Sequence, residues 1–353
     1  MPLHTQHRPV TPAADTLLRG AALTPIDFVK AVMRAFQHRG LTGEEALKAA
    51  QIAPSDLDQP AHRVTAAQFE ALTAAAMQQL DDEALGWFSR PLPWGSYGML
   101  ARASLSAPTL GVALKRWCRH HGLLTHDISL SLQTAGDDAR ITLTEHRPPG
   151  GDGTLREFCH VSVLRNVHGL ACWLVDSRIP LRGASFTFEA PAHTDAYAVL
   201  FDGPARFGAE QTGIRFDARY LGLPIKRDEA AMTQMLQRAL PIQVRPYRRD
   251  RLLVQRVRQL LSTRPQDTRN ADDVAALLNT SARSLHRQLR DEGASLQALR
   301  DEVRRERAMN LLQRSGKPVK QVAEAAGFQN EKSFIRAFKG WTGMTPGEWR
   351  GQA

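Results

Sequence analysis

Residues 318–340, PVKQVAEAAGFQNEKSFIRAFKG, read as two short helices joined by a turn. Pro318 suits a first helical turn, where the N–H it lacks would have had no partner. Val322, Ala323 and Ala326 recur at the spacing of one apolar helix face. Gly327 supplies the turn, Phe328 plugs the angle between the helices, and Asn330 is a good N-cap for the second. In that second helix Phe334 and Phe338, four residues apart, point to one side, which leaves Lys332, Ser333 and Arg336 facing outward. Helical pairs with a glycine turn are common in plain bundles, so one such unit decides little.

A second unit lies about 48 residues upstream. In 272–293, DDVAALLNTSARSLHRQLRDEG, Val274, Ala275 and Leu278 form the face of a support helix and Asn279-Thr280 turn the chain. Ser281 caps the next helix, whose Leu285 and Leu289 point inward together and place Arg283, His286, Arg287 and Arg290 on other faces. Between the units, 296–316 reads as one helix with Leu296, Leu299, Val303 and Leu311 in a stripe and Asp301, Arg305, Glu306 and Arg307 in solvent. Such a connector is expected to hold the units about 34 Å apart, one helical repeat of DNA. A helix about 10 to 12 Å across fits the major groove, and Arg donates two bonds to the O6/N7 pair of guanine. Glu331 fits either a bond from a cytosine amine or a favourable place at a helix N-terminus.

Charge follows the same division. The last 104 residues carry 19 Lys and Arg against 12 Asp and Glu, a surplus of seven out of the chain's net +10. A basic surplus concentrated in under a third of the chain points to a polyanion-binding surface there. At 353 residues two domains are expected. No secretory h-region and no membrane-length apolar run is present, which predicts a cytoplasmic protein without a membrane partner. Cys118, Cys159 and Cys172 form no Cys-x-x-Cys pair and read as buried thiols.

The N-terminal two thirds has mixed periodicity. A disordered segment is expected over 1–22, then an α+β domain over 23–245. Its helices are FVKAVMRAF with Thr24 and Asp27 ahead of it, LTGEEALKAAQI, VTAAQFEALTAAAMQQL, and one opened by Ser106 and Pro108. DISLSLQTAGDDARITLTEH alternates as a β-hairpin with a turn at AGDD. LREFCHVSVLRNVHGLACWLV is a long apolar helix, and ASFTFEA and the region of RFGAEQTGIRFDARYLGLPI are strands. The boundary falls near PIQVRPYRRD, where Pro241 and Pro246 interrupt helix, and an all-α domain follows over 250–353.

The tandem arrangement resembles the C-terminal DNA-binding domain of the AraC/XylS family of bacterial transcription regulators. The likeness is carried by Val322, Ala323, Gly327-Phe328, Ser333-Phe334, Arg336, Phe338-Lys339 and GMTPGEWR at 343–350. Ser281, Arg283, Leu285, Arg287, Leu289, Gly293, Arg304, Ala308 and Leu311-Leu312 carry it in the first unit. The resemblance implies an α+β effector-binding and dimerisation domain followed by a double helix-turn-helix domain with a spacer helix. It assigns base contacts to Arg283, His286, Arg287, Glu331, Lys332, Ile335 and Arg336, although Glu331, Ile335 and also Arg290 read better as solvated surface residues. Ser281, Ser333, Lys339 and Arg314 fit phosphate or structural roles. The N-terminal part resembles, more loosely, the arabinose-binding-like domain of a branch that includes regulators of ornithine use. That implies a small-molecule effector, a homodimer, RNA polymerase as partner, and activation more often than repression.

Candidate effector contacts are Arg156, Glu157 and His160 at the start of the 155–174 helix, with Trp94, Tyr97 and Trp173 as cavity walls. No cofactor, metal or catalytic residue is expected, since no HExxH, P-loop, nucleophile elbow or dinucleotide fingerprint occurs. The rival reading is a methyl-accepting DNA-repair enzyme with a DNA-binding tail, although the Pro-Cys-His-Arg context of its nucleophile is missing around all three cysteines.

Overall fold

The computed structural model describes residues 17–18, 20–150, 153–236 and 252–351, and the chain divides into two compact units at Arg248/Arg249. The expected boundary at 241–250 and most of the expected disordered segment lie outside the described residues. Leu17, within that segment, is buried, and its carbonyl accepts a hydrogen bond from Thr65.

In the first unit, β1 (Ala22–Pro25) pairs antiparallel with β2 (Arg63–Thr65), and α1 (Ile26–Gln37) and α2 (Glu44–Ala49) lie between them. Thr24 therefore sits in a strand, and Pro25 takes the cap position expected of it. α3 (Ala66–Leu80) starts at Thr65, whose hydroxyl accepts from Gln68 N–H while the Gln68 side chain accepts from Thr65 N–H. α4 (Ser96–Leu105) is a separate helix, and α5 (Leu110–Leu124) starts only after Thr109, so Ser106 and Pro108 lie in the break between the two. β3 (Ile128–Ala135) and β4 (Asp138–Glu145) form the expected hairpin, with Gly136 at φ +57 in its two-residue turn.

α6 (Gly153–Leu174) is buried on nearly every side, packed against α1, α5 and the sheet. A helix apolar all round belongs in a core. After it come β5 (Leu181–Ser185), α7 (Asp195–Phe201), β6 (Ala205–Arg206) and β7 (Thr212–Asp217). The sheet order is β3-β4-β7-β5-β6, antiparallel except for β5-β6. The strand expected over 184–190 ends at Ser185, because Phe186 and Phe188 leave the ladder for an aromatic cluster with Tyr197, Phe201 and Phe207. α8 (Glu229–Leu236) follows and ties back to α4 through Arg102–Glu229.

The second unit is helical throughout its described residues: α9 (Leu252–Thr263), α10 (Ala271–Leu277), α11 (Ala282–Asp291), α12 (Leu296–Arg314), α13 (Val319–Ala325), α14 (Glu331–Thr342) and α15 (Pro346–Gly351). Its core is two clusters. Val254, Val257, Leu261, Val274, Leu285, Leu289, Leu296 and Leu299 form one; Ala308, Leu312, Val322, Ala323, Phe334 and Phe338 form the other. α12 alone belongs to both, its first half to one and its last half to the other. At 19 residues it is about 28 Å long. Glu306, expected in solvent, pairs with Arg258 of α9, as does Glu302.

Two cores strung on one helix should respond separately. Phe338→Ala should cost about 3 to 5 kcal/mol. Hydrogen exchange should then speed up over 319–350 while amides of 282–291 keep their protection; equal loss in both segments would show a single cooperative core.

Candidate functional site

α11 and α14 are built alike. Ser281 Oγ accepts from Ser284 N–H at 3.2 Å and Asn330 Oδ1 from Ser333 N–H at 2.8 Å, so each helix starts on a side-chain cap. The support helices α10 and α13 start 48 residues apart and the capped helices 49, so the second turn is one residue longer. Asn279 makes the first turn at φ +53 and Gly327 the second at φ +83, a region that costs a side chain without local compensation.

Leu285 and Leu289 in α11, and Phe334 and Phe338 in α14, are 0% exposed. With those pairs inward, Arg283, His286, Arg287 and Arg290 fall at i, i+3, i+4 and i+7, one exposed stripe. Lys332, Ile335, Arg336 and Lys339 repeat that spacing on α14. Arg283, His286, Arg287, Lys332 and Arg336 make no hydrogen bond and no ion pair with any described residue. Other cations of this unit are used internally: Arg258 pairs with Glu302 at 2.7 Å, Arg300 donates to the Thr268 carbonyl, and the Arg304 guanidinium lies 5.2 Å over the Phe328 ring. Phe328 in turn packs on Phe334 and Trp341, which fills the angle between α13 and α14 as its position in the sequence implies.

Ile335 is half-buried against the second cluster, a packing role. Glu331 is exposed in the first turn of α14, where a carboxylate favours the helix dipole. Ser281 also donates its hydroxyl to Ser284 Oγ, so both of its polar functions serve the cap. Ser333 and Lys339 are exposed, and Lys339 lowers the pKa of Glu348 after the Thr345 hydrogen bonds that do most of it. Arg314 is exposed at the end of α12.

In the first unit the six candidate effector residues do not converge. Arg156 is held by Glu145 and Thr187. His160 contacts Glu145 at 3.0 Å and Thr212 at 3.3 Å, and burial, against the pull of Glu145, takes its pKa down to about 4. Glu157 accepts from His193 Nε2 at 2.7 Å and from Tyr197 OH at 2.6 Å. Trp173 is buried beneath the Arg227 guanidinium, and Trp94 is 42% exposed. Of the six, Tyr97 alone lines an enclosed cavity of about 30 Å³ between α3, α4 and α6. Glu83, Trp87, Phe158, Ser162 and Asn166 line it too, and sequence reading passed over them. The spacing of Phe158, Ser162 and Asn166, i, i+4, i+8 along one face of α6, was the available signal.

The three thiols are buried, and burial pushes Cys118 and Cys172 up to about 12 and Cys159 well above its ordinary value. A methyl acceptor needs the opposite, a thiolate near neutral pH. His168 bonds the Ile179 carbonyl at 2.8 Å. Among the described residues no three His, Cys, Asp or Glu side chains come together as metal ligands, and no helix is long and apolar enough to cross a membrane.

Residues 40–225 match the arabinose-binding domain of AraC transcription regulators, and residues 274–352 match a helix-turn-helix domain. The chain is 28% identical to the ornithine utilization regulator of Pseudomonas aeruginosa over 94% of its own length and 97% of the relative's. It is 27% identical to the regulator VirS of Mycobacterium tuberculosis over 80% and 83%. Against the urease operon transcriptional activator of Escherichia coli it is 35% identical over 28% of this chain and 33% of that one.

His193 offers a pH test of the packing around α6. Burial opposes its charged form, but the hydrogen bond and charge of Glu157, with Asp27 3.2 Å from Nδ1, outweigh this and raise its pKa above the ordinary value. A raised histidine pKa stabilises the fold fully below about pH 6.5, and that contribution is lost as pH rises through the folded-state value. In thermal melts, wild type should exceed His193→Gln by more at pH 5.5 than at pH 8.5; a constant difference would mean the ring does not titrate in the fold.

Proposed function

This chain belongs to the AraC family of transcription regulators and is a DNA-binding regulator, and we propose that it grips one face of a duplex with both α11 and α14. The observation that carries this reading is the repeated stripe of free cations. Arg283, His286 and Arg287 on one helix and Lys332 and Arg336 on the other are exposed, unpaired and held in phase by buried pairs on the opposite faces. Arg283, Arg287 and Arg336 suit guanine, with Lys332 and His286 beside them; Lys339 and Ser333 suit phosphates, and Glu331 is the weakest base reader of the set. Ser281 contributes by setting the start of α11.

The N-terminal unit binds a small effector, pairs two copies of the chain and so changes how the C-terminal unit meets a promoter and RNA polymerase, in the cytoplasm and as an activator. Support comes from the arabinose-binding match and from a cavity beside α6 whose carboxylate, hydroxyl and amide lie among aromatic rings. An effector acts if it binds the DNA-competent arrangement more tightly than the other. The relatives' names point to different systems, ornithine utilization in one and a urease operon in another, so neither is carried over. Buried, poorly acidic thiols and relatives named as regulators favour this reading over a methyl-accepting enzyme.

Footprinting on a selected operator should show two protected major-groove segments on one face of the duplex; protection of a single segment would refute the two-helix grip. In the same assay Arg336→Ala should cost about 1 to 3 kcal/mol and relax preference at one base pair. Lys339→Ala should weaken all sequences alike and lower the salt dependence by about one phosphate contact. If both variants behave identically across a randomised library, the division into base and phosphate contacts fails.

A further inference from the structure

The cavity of the first unit has a more specific chemistry than a general effector site. Phe69 stands at 78° to Phe158 with centroids 5.9 Å apart, and Trp87 at 84° to Phe158 at 5.2 Å. The π faces of aromatic rings attract cations. Glu83, 8% exposed, is the one carboxylate among the described lining residues. Each of its oxygens accepts one backbone N–H, from Gly95 and Tyr97 at 2.7 Å, which leaves each oxygen a further lone pair. Burial raises the pKa of this carboxyl and the two N–H groups pull it back, so a cation in contact would favour the charged form.

A further feature separates this place from a plain helix cap at the start of α4. Ser162 and Asn166, one turn apart on α6 and half-buried at the rim, have side chains without a partner among the described residues. A sugar would need a polar group for each hydroxyl, and here Thr73 already donates to the Phe69 carbonyl. A primary ammonium needs less: one carboxylate, a hydroxyl or amide oxygen, and rings beneath its alkyl part.

We propose that this cavity binds a small organic ammonium ion, its N–H groups directed to Glu83 and the Ser162–Asn166 rim and its alkyl part against Phe69, Trp87 and Phe158. The proposal rests on the reading of the N-terminal unit as effector-binding. A cavity of about 30 Å³ exceeds the roughly 10 to 15 Å³ that a water-sized group needs, enough for the ammonium head. Met77, half-buried at the rim, is unbranched and adaptable, and its rotation makes room for the chain.

Calorimetric titration of the full chain with methylammonium, ethylammonium and n-butylammonium chloride tests this, with arabinose and sodium butyrate in parallel. Saturable binding of at least one alkylammonium is expected, weakened at least tenfold in Glu83→Gln and abolished in Ser162→Met, which fills the cavity without touching the α4 cap. Ser162→Met decides alone if Glu83→Gln does not fold. No alkylammonium binding, or binding unchanged in both variants, overturns the proposal. If arabinose or butyrate binds instead and Ser162→Met removes that binding, the cationic class falls while the effector site stands; if no probe binds and none alters DNA affinity, the effector reading falls with it.

Discussion

The cationic surface proposed to meet DNA depends on the rotational phase of two helices. An isolated helix of ten or twelve residues is marginal in water and has no preferred outward face. Burying Leu285 with Leu289, and Phe334 with Phe338, removes that freedom, at about 1.5 to 3 kcal/mol for each buried side chain. Once those pairs are inward, a residue two before each pair's first member and those at i+3 and i+4 from it turn away from the core centre. Cations occupy five of these six places, with Ile335 packed at the sixth, and their side chains have no partner among the described residues, which is the state a phosphate or a guanine edge requires. Caps at Ser281 and Asn330 set where each helix begins, so the phase is fixed in translation as well as rotation.

The N-terminal unit works under the opposite constraint, since several of its charged groups lie inside. A buried ion without partners is costly, and nearly every one here is answered. Asp82, 1% exposed, accepts from the N–H groups of Ala84, Gly86 and Leu92 and from Arg39, and so shapes the loop from α3 to α4. Glu157 takes His193 and Tyr197, and Glu145 takes Arg156 and His160. Against this background the unanswered groups around Glu83 stand out. They lie where α3, α4 and α6 leave a space between rings, at the middle of the unit's longest helix.

Legibility in the sequence followed the length and regularity of each element. The hairpin 128–145, α6 and the two helix-turn-helix units show uninterrupted periods of two or of 3.6 residues and could be placed to within a few residues. The β1–β2 ribbon has strands of four and three residues, too short for a period to show. β5 ended early because Phe186 and Phe188 alternate like strand residues while packing as an aromatic cluster. The effector candidates lie apart for a related reason: Arg156, Glu157 and His160 are neighbours along α6, but Arg156 and His160 turn to Glu145 while Glu157 turns to His193 and Tyr197.

The sequence by itself determined the helix-turn-helix repeat, the outward cations and the α+β character of the first unit, because these are properties of local period, caps and charge. Tertiary structure alone decided that α12 divides its apolar stripe between two cores, that Arg258 and Arg304 serve the fold while Arg283 and Arg336 stay free, and that Glu83 meets Phe69, Trp87 and Phe158. Those outcomes join residues tens of positions apart, and which of many equal arginines or carboxylates finds a partner depends on packing that no local pattern encodes.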